Sequence, residues 1–79
     1  MDKETYRIIT EIWQFLKKYI PVCTSNAEEV WDSIREDCTR IYASTSGQPG
    51  YFRAMAEKML VAACELLEGI YKEGQHERD

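Results

Sequence analysis

Apolar residues recur at helical spacing in three stretches of the chain. Between residues 3 and 20 they are Tyr6, Ile8, Ile9, Ile12, Trp13, Phe15, Leu16, Tyr19 and Ile20. Stepped at about 100° per residue, they cover roughly 180° of a helix. In the second stretch Ala27, Val30, Trp31, Ile34, Cys38, Ile41 and Tyr42 fall inside about 120°, a single stripe with a polar back. In the third, Tyr51, Phe52, Met55, Ala56, Met59, Leu60, Ala62, Ala63, Cys64, Leu66, Leu67, Ile70 and Tyr71 spread over about 220°. No stretch alternates with the period of two that a half-buried strand requires.

Two breaks separate the stretches. "IPVCTSN" (20–26) holds Pro21, which disfavours helical geometry at Ile20 and cannot donate to a helical ladder. "STSGQPG" (44–50) gathers Ser, Thr, Gly and Pro, a strong turn signal. The pattern therefore predicts helices over about 3–19, 26–43 and 51–72, with 74–79 ("GQHERD") a disordered tail. Asp2 is placed to cap the first helix. Ser25 and Glu28 stand in capping-box spacing for the second, with Thr24 or Asn26 as other caps. Gly69 is costly inside the third helix and marks an early end or a close approach to a neighbour. Three amphipathic segments joined by short loops give an all-α fold, a small antiparallel three-helix bundle forming one domain over 1–79.

Helix 2 has the apolar width that a bundle helix needs; helices 1 and 3 have more. Ile8, Ile12, Phe15 and Tyr19 form one flank of helix 1 at i, i+4, i+7 and i+11. Left in water, that row is a large patch for a small monomer. It predicts a homodimer through helices 1 and 3, a four-helix arrangement across a two-fold axis, or a partner groove. The alternative is that helices 1 and 3 lie at the bundle centre and bury more, which the small Ala and Cys residues of helix 3 would allow.

Charge adds a second unusual surface. In "AEEVWDSIRED" (27–37), five of eleven side chains are carboxylates and only Arg35 answers them. Glu28, Glu29, Asp32 and Glu36 lie together opposite the apolar stripe, and the like-charged i, i+4 pairs each cost a few tenths of a kcal/mol. They form either a solvated outer face or an anionic surface that docks a basic groove of another protein. Asp37 stands at the edge of the stripe, in reach of a group on a neighbouring helix. The net charge of −4 argues against direct nucleic-acid or anionic-membrane binding, which need clustered Lys and Arg.

Chemistry-bearing residues are sparse. Cys23, Cys38 and Cys64 are an odd, widely spaced set without CxxC, which suggests reduced thiols in the cytoplasm. Cys38 and Cys64 lie on or beside apolar stripes and are expected as small core residues, as are Trp13 and Trp31. The start of the chain carries acids where a signal peptide is apolar, and no apolar run is long enough for a membrane span. The single histidine, His76, falls in the tail, so no core nucleophile has an imidazole beside it. No zinc spacing is present. Glu29 with Asp32, and Glu65 with Glu68, have the spacing that holds magnesium in helical nucleotide pyrophosphohydrolases. Their order is reversed, however, and Glu65 and Glu68 face away from the apolar arc. No cofactor and no catalytic residue are expected.

The reading that follows is a non-catalytic protein-binding module acting through an acidic and apolar helical surface. Small acidic proteins without catalytic residues are frequent among phage and mobile-element accessory factors, including inhibitors of bacterial defence nucleases such as anti-CRISPR proteins. That analogy of size and charge extends the expectation to an inhibitor of a host protein. The alternatives are a structural homo-oligomer with no outside ligand and a helix-turn-helix DNA-binding regulator. Against the last, no tight Gly-containing turn joins helices 2 and 3, and their wet faces carry more acid than base.

Overall fold

The computed structural model describes residues 2–24 and 28–78, with side chains as far as Gly74. Three helices follow one another: α1 (Lys3–Thr24), α2 (Val30–Ala43) and α3 (Gly50–Arg78). Successive helices are antiparallel, so α1 and α3 run the same way. Arg7 near the start of α1 donates from Nη1 to the Ser44 hydroxyl just past α2, at 3.1 Å, and Gln48 reaches Glu4 at 3.4 Å.

Each helix starts or ends for a local reason. The Asp2 carboxylate caps α1 by accepting from the Thr5 N–H at 2.8 Å, and that hydrogen bond holds its carboxyl below the usual range. α1 does not stop at Tyr19 but runs through Pro21 to Thr24. Pro21 and Lys17, one turn earlier, are both exposed, so the break in the helical ladder falls on the outer side of α1. The added turn also buries Cys23 completely. α2 starts later than expected, at Val30, with Glu28 and Glu29 in a turn and no side-chain cap. Ser25, Asn26 and Ala27, the expected caps and first stripe residue, lie outside the described residues.

The connector after α2 is closely tied. Thr45 is fully buried, with its hydroxyl donating to the Tyr42 carbonyl at 2.7 Å. Gly47 adopts φ 90°, which side-chain-bearing residues resist. Phe52 is buried and anchors the start of α3, whereas Tyr51 is exposed.

α3 continues to Arg78, past the end expected near residue 72 and through the segment expected as a disordered tail. At about 1.5 Å per residue its 29 residues span roughly 43 Å, which accounts for the molecule's 46 Å long dimension. Tyr71 is the last core residue on α3. Gly69 neither ends the helix nor marks a close approach: a Cβ there would meet nothing within 4 Å.

The core corrects one expectation outright. Ile8, Ile12, Phe15 and Tyr19, anticipated as a spare flank, are 0%, 5%, 3% and 2% exposed within the single chain. They are the centre of the core, joined by Cys23 one turn on and packed with Ile34 and Ile41 of α2 and Ala56, Leu60 and Leu67 of α3. A helical wheel gives the width of an apolar arc but not which edge of it the neighbours cover. Here α1 is rotated so that this row points between α2 and α3. The residues left outside are Tyr6, Ile9 and Trp13, at 66%, 38% and 57% exposure. Trp13 is therefore a surface residue and not a core one.

Candidate functional site

The α1–α2 seam is closed by polar contacts around one carboxylate. Tyr19 donates its hydroxyl to Asp37 Oδ2 at 2.5 Å and Lys18 Nζ donates to the same oxygen at 3.1 Å; Arg40 lies 3.8 Å away. The Tyr19 hydrogen bond is the main reason the Asp37 carboxyl is held below the usual carboxylate range. Burial pushes the Tyr19 hydroxyl up, and the hydrogen bond to Asp37 raises Lys18. Asp37 thus pairs across helices, as its place at the edge of the stripe suggested.

The α2–α3 seam is different: it opens into a groove of about 400 Å³. Its floor is apolar, made by Cys38 and Tyr42 of α2 with Leu60, Val61 and Cys64 of α3. Glu57, Glu65 and Glu68 stand on the α3 rim. They follow from spacing: Glu57, Val61, Glu65 and Glu68 are i, i+4, i+8 and i+11 on one helix face. Glu68 is paired to Lys72 at 2.9 Å; no ion pair involves Glu57 or Glu65 among the described residues. Arg53 lies 5.0 Å over the Tyr42 ring at one end, and the edge-on Trp31–Tyr71 pair, 5.4 Å between centroids, joins α2 to α3 toward the other.

The acidic face of α2 meets this groove. Glu28, Glu29, Asp32 and Glu36 are all exposed, and Asp32 is paired to Arg35 within its own helix. Thr39 lines both the groove and the shallow surface formed by Asp32, Arg35 and Glu36. Carboxylates of α2 therefore lie beyond one edge of the apolar floor and carboxylates of α3 along the other. Sequence reasoning singled out the α2 row and missed the α3 row, although the Glu57–Val61–Glu65–Glu68 spacing was readable. What it lacked was the rotation of α3 that turns this face toward α2.

A second apolar surface lies on the far side of the bundle. Tyr6, Ile9 and Trp13 are i, i+3 and i+7 on α1, and Met59, Ala62 and Leu66 repeat that spacing on α3. The opposite flanks of both helices face α2, through Lys18–Asp37 on α1 and Cys38–Cys64 on α3. Both stripes therefore lie on the face of the α1–α3 pair turned away from α2. This is where the surplus apolar width of helices 1 and 3 emerges. On α1, Thr10 and Gln14 adjoin the stripe, and the exposed Lys17 follows Trp13 one turn on.

The remaining chemistry is limited. Among the described residues no three His, Cys, Asp or Glu side chains gather as a metal site. The His76 side chain lies outside the described residues. No helix is long and apolar enough to cross a membrane, among the described residues. Cys23 is buried, and burial raises its thiol above the ordinary value. Cys38 and Cys64, expected in the core, are half-buried instead, on the groove floor. The sequence matches no protein-family model and no curated protein, and no solved structure matches the fold.

Proposed function

We propose that this chain is a non-catalytic protein-binding module that seats a basic, amphipathic helical segment of another protein in the α2–α3 groove. The observation that carries this reading is an apolar floor flanked by carboxylates of two helices. An apolar ridge on the incoming segment would cover Val61, Leu60 and Tyr42, while Lys or Arg on its flanks would meet Glu57 and Glu65 on one side and Asp32 and Glu36 on the other. Such contacts lie at the rim in water, so they speed association and weaken with salt more than they add affinity. A host protein inhibited by occupation of its basic surface is one partner of this chemistry.

The test uses a fluorescently labelled peptide of Leu and Lys whose Leu residues recur at helical spacing, with a scrambled peptide of equal composition as control. The helical peptide is expected to bind in low salt and release in high salt. The triple variant Glu57→Lys, Glu65→Lys, Glu68→Lys is expected to weaken it at least ~10-fold, about 1.4 kcal/mol. Equal binding of the scrambled peptide, or unchanged affinity in the triple variant, would reject the groove.

A second reading, self-association through α1 and α3, is favoured by the exposure of Tyr6, Ile9 and Trp13. An exposed apolar stripe of this kind can pack against the same stripe of a second copy. Light scattering across a concentration series separates the two readings, since the groove reading requires no dimer.

A further inference from the structure

The Sγ atoms of Cys38 and Cys64 lie 3.2 Å apart, bridging α2 to α3. Both thiols are free and both line the groove, so a small molecule approaching from solvent has a route to them. A disulfide bond is roughly 2.05 Å long, so closing the pair needs an approach of only about 1 Å, within reach of small side-chain rotations and a slight helix shift. Cys23 is fully buried elsewhere on α1 and does not line the groove. We infer that Cys38 and Cys64 form a dithiol modification site, which small-molecule disulfides oxidise to an interhelical disulfide across the floor of the groove. This holds whether or not the groove seats a partner.

The chemistry is thiol–disulfide exchange. The Cys64 thiol loses its proton and its sulfur attacks the small disulfide, breaking that S–S bond and releasing one small thiol. The Cys38 sulfur, already in contact, then attacks the Cys64 side of the mixed disulfide. The Cys38–Cys64 bond forms, the Cys38 proton is lost and a second small thiol departs. Two protein thiols are oxidised and one small disulfide is reduced to two thiols. Cys38 is assigned the second step because its sulfur already touches Cys64 at 3.2 Å, and burial, then that contact, raise its thiol above the ordinary value. It therefore holds its proton at neutral pH and is a poor first nucleophile.

The test incubates the reduced, folded full chain with oxidised glutathione, then counts thiols in denaturant and maps the linked peptides. The count is expected to fall from three to one, with Cys38 joined to Cys64, Cys23 unmodified and dithiothreitol restoring all three. Cys38→Ser is expected to stop at a glutathione adduct on Cys64. Cys23→Ser is expected to behave as the wild type, with both its thiols lost. Three surviving thiols, separate adducts on Cys38 and Cys64, or a disulfide that includes Cys23 or a second chain would overturn the site. Faster adduct formation on Cys38 in Cys64→Ser than on Cys64 in Cys38→Ser would overturn the order of attack.

Discussion

The two seams that α2 makes with its neighbours are built from similar residue types and end differently. Against α1, the aromatic ring of Tyr19 is buried and its hydroxyl is spent on Asp37, with Lys18 completing the contact. Against α3, contact is held by Cys38–Cys64, Arg53 with Tyr42 and Trp31 with Tyr71, and the apolar surface between them stays open. The difference follows from size and charge. Cys38 and Cys64 are small, and Glu57, Glu65 and Glu68 on α3 cannot be drawn into a dry seam beside the acidic back of α2. A closed seam stabilises the fold, while an open one leaves surface for another molecule.

If that contrast is right, substitutions on the two seams divide between stability and binding. The largest effect is expected from Phe15→Ala in the core that α1 supplies: a loss of about 3–5 kcal/mol, read as a collapse of the urea midpoint. Tyr19→Phe comes next. It keeps the ring but removes the donor to Asp37, at a cost of about 1–3 kcal/mol.

The same pair predicts a pH dependence. The Asp37 carboxyl is depressed in the folded chain, so its contribution is complete above the ordinary carboxylate value, near 3.8, and is lost as pH falls through the lower folded value. Wild type and Tyr19→Phe are therefore expected to differ most in stability at neutral pH and to converge in acid. A difference unchanged by pH would remove Asp37 from the account.

On the open seam, Val61→Lys is expected to shift stability by less than about 0.5 kcal/mol, since Val61 is half exposed, yet to abolish capture of the Leu–Lys peptide. The smallest effect is expected from Trp13→Gln on the far face: stability again within about 0.5 kcal/mol and peptide binding unchanged. Lost binding in Trp13→Gln, with Val61→Lys silent, would move the docking surface from the groove to α1.

Much of this fold was legible in the chain. The single stripe of helix 2, the Asp2 cap and the pairing of Asp37 across helices all follow from spacing. Apolar surface does remain outside on helices 1 and 3, at Tyr6, Ile9, Trp13, Val61 and Leu66, but not on the row that the width argument named. Rotation about the helix axis was not legible. Ile8, Ile12, Phe15 and Tyr19 were placed outside and Trp13 inside, the reverse of the structure. A broad apolar arc has two edges, and local spacing treats them alike; packing against α2 and α3 chooses between them. Pro21 misled for a related reason: its helical penalty is local, whereas the burial of Cys23 that offsets it is tertiary.

The central claim is tested most directly by following backbone amide signals of the isotopically labelled chain while the Leu–Lys helical peptide is added. The account predicts that Thr39, Tyr42, Val61 and Glu65 shift in low salt and return in high salt, while Tyr6, Ile9 and Trp13 stay in place. Shifts confined to Tyr6, Ile9 and Trp13, or none on either side of the groove, would contradict it.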